Sequence, residues 1–128
     1  MKKNLLGNSD LELSEIGFGT WAIGGGDWGM GWGDQHEPDS VASILEGLES
    51  GINWIDTAHA YGFGVAEIAV GKAIREYGLS DVIVATKCGV LPEKDNKPTR
   101  FISRKTIFEE VEGSLKRLGR DYIDLFPI

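Results

Sequence analysis

The sequence predicts an α/β fold in which short strands alternate with helices, so that the strands lie parallel and the helices cover them. Three observations carry this. Three stretches place apolar residues at helical spacing and each stops at a glycine. Short apolar runs rich in β-branched and aromatic residues lie between and after them. The chain has 128 residues, enough for about one domain. Its 41% hydrophobic and 26% charged residues are close to the globular mix and exclude a disordered chain.

In chain order, Leu5-Leu6-Gly7 and Leu11-Glu12-Leu13 flank Asn8-Ser9-Asp10 and form a hairpin. Glu15 to Trp21 is a longer strand, and Gly17 and Gly19 within it ask for close approach of another backbone or a ligand. From Gly24 to Gly33 glycine is too dense for a helix or a good strand. This is a long loop exposing Trp28, Met30 and Trp32, and long loops in compact domains are candidate functional segments.

The first helix opens at Pro38-Asp39-Ser40 and closes at Gly51, with Val41, Ile44, Leu45 and Leu48 on one face. Strand Ile52–Asp56 follows. The second helix carries Ala66, Ala69, Val70, Ala73, Ile74 and Tyr77 and stops at Gly78. After strand Val82–Thr86, Leu91 to Arg100 is expected to be a polar loop because of Pro92 and Pro98. Ser103 caps the third helix, Ile107, Val111, Ser114, Leu115 and Leu118 form its stripe, and Gly119 ends it. Tyr122–Phe126 is the last strand.

The net charge of −7 works against binding nucleic acid, which needs a basic footprint. No apolar run approaches the ~18–20 residues needed to cross a bilayer, and no signal-peptide apolar core follows Lys2 and Lys3. Cys88 is alone, so an internal disulfide is impossible and a reducing cytoplasm is expected. With it, His36 and His59 do not make a zinc cluster, so no metal site is expected. No Ser-His-Asp set points to hydrolysis.

Gly24 to Gly29 spells G-x-G-x-x-G, the lettering of a dinucleotide fingerprint. That mechanism needs the third glycine to open a helix, whereas Met30-Gly31-Trp32-Gly33 follows and the helix begins only near Asp39. The stronger constellation lies at the C-terminal ends of two strands, the end that faces ligands in parallel α/β folds. Asp56 ends one and Lys87 the next, and Tyr61 follows Asp56 where the chain can fold back over the strands. A phenol loses its proton more readily beside an ammonium, and a carboxylate holds that ammonium in place. Such a phenol can give a proton to a carbonyl oxygen as hydride reaches the carbon. The same spacing also suits a structural Asp56–Lys87 ion pair with a packed Tyr61 ring. Cys88, next to Lys87, is expected to be a small buried residue, and His36 and His59 to be solvated or packed.

The run from Gly51 to Gly62, containing Asp56-Thr57-Ala58-His59-Ala60-Tyr61-Gly62, resembles the Asp-Thr-Ala-x-x-Tyr-Gly segment of aldo-keto reductases. Phe63 to Glu67 with Gly71-Lys72-Ala73, Val84-Ala85-Thr86-Lys87, Ser114 to Leu118, Asp121 to Leu125 and Ile16 to Trp21 are similar to further segments of that family. Within it the chain is most similar to bacterial general stress reductases. The resemblance implies a (β/α)8 barrel, NADPH without a metal, and reversible reduction of aldehydes and ketones. It makes Tyr61 the proton donor, Lys87 the ammonium that favours its phenolate, and Asp56 the partner of Lys87. It puts Thr20, Trp21 and Asp56 at the nicotinamide end of the cofactor and Trp21 in the wall of the carbonyl pocket; the loop residues Trp28, Met30 and Trp32 themselves suggest an apolar or aromatic rim to that pocket. Glu67 matches a glutamate taken as structural.

A barrel of this kind takes about 250 residues. Residues 1–128 are therefore expected to be the N-terminal half of one barrel domain: a hairpin, then four strands and three helices, cut after the fourth strand. The family's histidine after that strand and its phosphate-binding loops are not in the sequence. The expected partners are a small carbonyl substrate, the complementary half, or a second copy paired through open strand edges, and the chain alone should be a poor catalyst. An open doubly wound sheet is the alternative fold. A channel-associated binding subunit or a designed half-barrel is the alternative function.

Overall fold

The computed structural model describes all residues except 27, 79–81 and 94–96. Asp27 in the fingerprint-like string and the middle of the expected polar loop thus lie outside the described residues. An antiparallel hairpin, β1 (Lys3–Leu5) with β2 (Glu12–Ser14), opens the chain. Then β3 (Phe18–Gly19), α1 (Glu37–Glu49), β4 (Trp54–Asp56), α2 (Val65–Tyr77) and β5 (Ile83–Ala85) alternate. The strands β3, β4 and β5 form a parallel sheet in that order. A hairpin of β6 (Val90–Pro92) and β7 (Pro98–Arg100) precedes α3 (Arg104–Leu118). Leu125 then lies parallel beside Ala85, in the place of a fourth strand.

Side chains on neighbouring strand positions point to opposite faces, and this sheet uses the two faces differently. Ile55 and Val84 are fully buried in one cluster with Ile44 and Leu48 of α1, Val70 and Ile74 of α2, and Leu118 of α3. Trp54, Asp56 and Ile83, on the other face, are only partly buried. The helices thus cover the Ile55–Val84 face of a sheet whose parallel strands run in sequential order, and the doubly wound alternative is excluded.

The last helix, α3, ends as its sequence dictates. The Ser103 hydroxyl accepts from the Thr106 N–H at 3.1 Å while the Ser103 N–H donates to Thr106 Oγ1 at 2.9 Å, a reciprocal cap. Gly119, at φ +67°, donates its N–H to the Leu115 carbonyl at 2.9 Å. A Cβ on Gly71 would stand 2.6 Å from the Arg117 carbonyl oxygen, so α2 and α3 approach more closely there than any side chain permits.

The N-terminal hairpin closes one end of the sheet. Ser14 N–H donates to Asn53 Oδ1 at 2.8 Å, Asn53 Nδ2 donates to the Glu12 carbonyl at 2.8 Å, and Trp54 Nε1 donates to the Ser14 carbonyl at 3.0 Å. The Trp54 indole lies against Gly17, where no Cβ fits. The approach is by a side chain, not by the backbone or ligand expected, and nothing stands within 4 Å of a Cβ at Gly19. The hairpin leaves the C-terminal ends of the strands open for a site.

Three expectations are corrected. Val90 to Arg100 is a hairpin in its described part, not a polar loop; Pro92 and Pro98 face each other at its end, where neither is needed as a ladder donor. The strands are shorter than the apolar runs. In the last of them, the Asp124 carboxylate takes the Val84 N–H at 2.8 Å, so a side chain replaces the ladder and Leu125 alone bridges. The buried line of α3 runs through Glu110, Ser114 and Leu118 rather than through Val111 and Leu115.

Candidate active site

The open end of the sheet brings together the three residues expected there. Asp56 ends β4 opposite Ala85 in register, and Lys87 stands two residues past Ala85. The Lys87 ammonium donates to Asp56 Oδ1 at 2.7 Å, to the Thr57 carbonyl at 3.0 Å and to Tyr61 Oη at 3.1 Å. An ammonium has three donors, and all three are used. Tyr61 Oη accepts from lysine, so its own proton is free to point elsewhere. The Lys87 and Asp56 side chains are 33% and 37% exposed, so the pair is reachable from solvent.

Tyr61 is aimed by the backbone. It opens a 3-10 turn, Tyr61–Gly64, that packs against another, Ala22–Gly24. A Cβ on Gly62 would strike the Gly24 carbonyl, and one on Gly24 would meet Gly62 N at 2.7 Å, so both positions must be glycine. Gly62, Phe63 and Gly64 all have positive φ, Phe63 at +46°. For a residue with a side chain that costs about 1–2 kcal/mol. Aromatic contacts hold the arrangement: Tyr61 lies 5.3 Å from Trp21 and 6.0 Å from Trp28 between ring centroids, and Phe63 meets Trp28 edge-on at 6.4 Å.

Beside Tyr61 and Lys87 is a cavity of about 790 Å³ walled by Trp21, Trp28, Met30, Val90, Pro98 and Phe101 among others. The glycine-rich loop is tied into its wall, since Trp21 Nε1 donates to the Met30 carbonyl at 2.9 Å and Trp28 Nε1 to the Gly25 carbonyl at 3.0 Å. Three expectations change here. Trp28 is not an exposed loop residue but 1% exposed, at the centre of the aromatic cluster. Trp32 is 78% exposed and does not line this cavity. Thr20, expected against a cofactor, is fully buried; its hydroxyl donates to the Asp56 carbonyl at 3.1 Å and joins β3 to β4. Cys88 is buried in the cavity wall, and burial, with the Glu110 charge nearby, raises its pKa, so the adjacent Lys87 does not make it a reactive thiolate.

A second set of residues braces the site from behind. The Glu67 side chain is fully buried and accepts from Thr86 Oγ1 and from Arg117 Nε, each at 2.6 Å. Arg117 Nη2 lies 3.1 Å from His59 Nδ1. Thr86 precedes Lys87 and His59 lies two residues before Tyr61, so one ion pair with a fully buried carboxylate ties both segments together. Burial, then Arg117, lower the pKa of His59, with Glu67 opposing, so the ring accepts from the guanidinium as a neutral group. Sequence reasoning missed Arg117 and Glu110. Both lie three or four residues from Ser114, on the stripe that turns towards the core, and charged groups on an apolar stripe are the signal that would have found them.

An aspartate–lysine–tyrosine set at the strand ends of a parallel β/α layer defines a class of protein, and comparison with known proteins names it. The model of the Aldo/keto reductase family matches residues 15–128, and the chain belongs to that family. It is 50% identical over 129 residues to aldo-keto reductase YhdN of Bacillus subtilis, covering 100% of this chain and 38% of that protein. It is 43% identical over 135 residues to the NADH-specific methylglyoxal reductase of Escherichia coli, covering 98% of this chain and 41% of the relative. The solved aldo-keto reductase AKR11C1 from Bacillus halodurans (holo form) superposes with a TM-score of 0.85 at 40% identity, over 98% of this chain and 39% of that one. The chain thus spans about two fifths of the length of these relatives. Its fold is the N-terminal half of a (β/α)8 barrel, and the described residues form no closed barrel.

Proposed function

We propose that this segment carries the acid–base half of a carbonyl reductase that uses NADPH and converts small aldehydes and ketones to alcohols. The observation that carries the reading is the Lys87 ammonium bound at once to Asp56 and to Tyr61 Oη beside an apolar cavity. When bound, the nicotinamide supplies the hydride. The residues present fit its reacting end: Trp21 is 41% exposed and walls the cavity, and Asp56 and Lys87 are open beside it. Thr20, fully buried, serves by fixing Asp56 rather than by contact.

Tyr61 holds the proton at Oη and delivers it to the carbonyl oxygen. As it leaves, negative charge grows on Oη, and the Lys87 N–H already aimed there stabilises that charge without reorganisation. Asp56 and the Thr57 carbonyl fix the ammonium so that its third donor faces the phenol. Trp21, Trp28 and Met30 exclude water and favour an apolar or aromatic carbonyl compound.

The test uses the segment extended to the full length of its relatives, called below the extended protein. With a small aromatic aldehyde it is expected to oxidise NADPH faster than NADH. Equal or greater rates with NADH, the cofactor named for the Escherichia coli relative, would overturn the cofactor assignment, and no turnover with either would overturn the reading.

Residues 1–128 are proposed to form half of one barrel domain that works in a reducing cytoplasm. Among the described residues no helix is long and apolar enough to cross a membrane. Trp54, Ile83, Ile123 and Leu125 are only partly covered. Apolar surface of this kind, beside open strand edges, favours association. Sedimentation of the 128-residue chain is expected to show a concentration-dependent dimer, with weak binding of NADPH. A compact monomer with a Kd near ~1 μM, about −8 kcal/mol, would refute both.

A further inference from the structure

We propose that Glu110 is a positioning residue for Lys87, acting through the backbone of Gly89; the proposal rests on the acid–base role given to Lys87 above. Lys87 leaves the end of β5, and its ammonium must stop within hydrogen-bond reach of a phenol on another segment. Upstream, Thr86 is fixed by its N–H on the Leu125 carbonyl at 3.1 Å and by its hydroxyl on Glu67. Downstream, the chain turns sharply at Gly89, with φ +97°, where a Cβ would stand 2.9 Å from the Ile102 side chain. That turn is held by the Glu110 carboxylate, whose Oε2 accepts the Gly89 N–H at 3.0 Å.

The cost of keeping a carboxylate here shows what it is for. Glu110 is 5% exposed, on the stripe of α3 with Ser114 and Leu118. Its Oε1 has no hydrogen-bond partner among the described residues. Burial pushes the carboxyl pKa up, and only the Gly89 N–H and the nearby Arg117 pull it back, with Glu67 adding to the rise. An apolar side chain would pack on this stripe without desolvating a charge. The one hydrogen bond that the Glu110 side chain makes among the described residues is to the turn two residues past Lys87, so the position needs an acceptor with that reach.

Two substitutions separate reach from charge. Glu110→Gln keeps an oxygen that can accept from Gly89, whereas Glu110→Asp keeps the charge but is one methylene too short. In the extended protein, Glu110→Asp is expected to lower kcat about ten-fold or more, with the aldehyde KM changed less than about two-fold, while Glu110→Gln stays near the parent. Amide hydrogen exchange at Gly89 should quicken in Glu110→Asp and not in Glu110→Gln. Unchanged exchange in Glu110→Asp, a loss confined to KM, or equal impairment of both variants would overturn the proposal. Should the parent extended protein reduce no carbonyl, the functional reading fails by itself. Gly89 exchange and the rate of acylation of Lys87 by an amine reagent then decide the positioning: both faster in Glu110→Asp alone supports it, and no difference overturns it.

Discussion

Tyr61→Phe in the extended protein is expected to lower carbonyl reduction by about 10²–10⁴-fold, the range that general acid catalysis contributes. The phenylalanine keeps the ring contacts with Trp21 and Trp28, so the aromatic cluster and the fold should survive. What disappears is the Oη that accepts from Lys87 and holds the proton. The loss should fall on kcat, with the aldehyde KM little changed, because the proton moves only in the transition state. NADPH oxidation followed by absorbance, with circular dichroism as the control for folding, measures it. A variant with parental kcat would remove Tyr61 as the acid.

The second large effect is on stability. Arg117→Ala leaves the fully buried Glu67 carboxylate with only the Thr86 hydroxyl for a partner among the described residues. Breaking a buried pair from one side costs about 3–5 kcal/mol, a large part of the ~5–15 kcal/mol that holds a domain together. Urea denaturation of the extended protein is the measurement. Glu67→Gln combined with Arg117→Met should recover much of the loss, because no charge is then left uncompensated. A double variant as unstable as Arg117→Ala would show that packing of the arginine stem, not its charge, is what matters. The brace also joins the Lys87 and Tyr61 segments, so Arg117→Ala should reduce activity even at temperatures where it stays folded.

Local chemistry made the helices legible. Ser103 caps α3, and Gly78 and Gly119 end α2 and α3, because these signals act within one or two turns of chain. Asp56, Tyr61 and Lys87 were also legible, since the end of a parallel strand is a position that sequence order can locate. The proline-flanked hairpin was not: whether Pro92 and Pro98 break a strand or close one depends on whether a ladder needs their missing donors, and pairing decides that. Nor could the glycine-rich loop say which tryptophan is buried; Trp28 turns inward because Gly24 and Gly62 let two backbone turns touch, whereas Trp32 stays outside.

The sequence by itself determined the order of the helices and of the parallel strands, and marked Asp56, Tyr61 and Lys87 as candidate groups at the strand ends. Tertiary structure alone decided how those groups are held. Glu67, Arg117 and Glu110 come from helices far along the chain from the segments they fix, and their partners are a hydroxyl, a ring nitrogen and a backbone N–H. A charge on an apolar stripe announces that a partner is needed inside. Which partner it meets is set only when α2 and α3 close to backbone contact at Gly71 and the turn at Gly89 folds back onto α3.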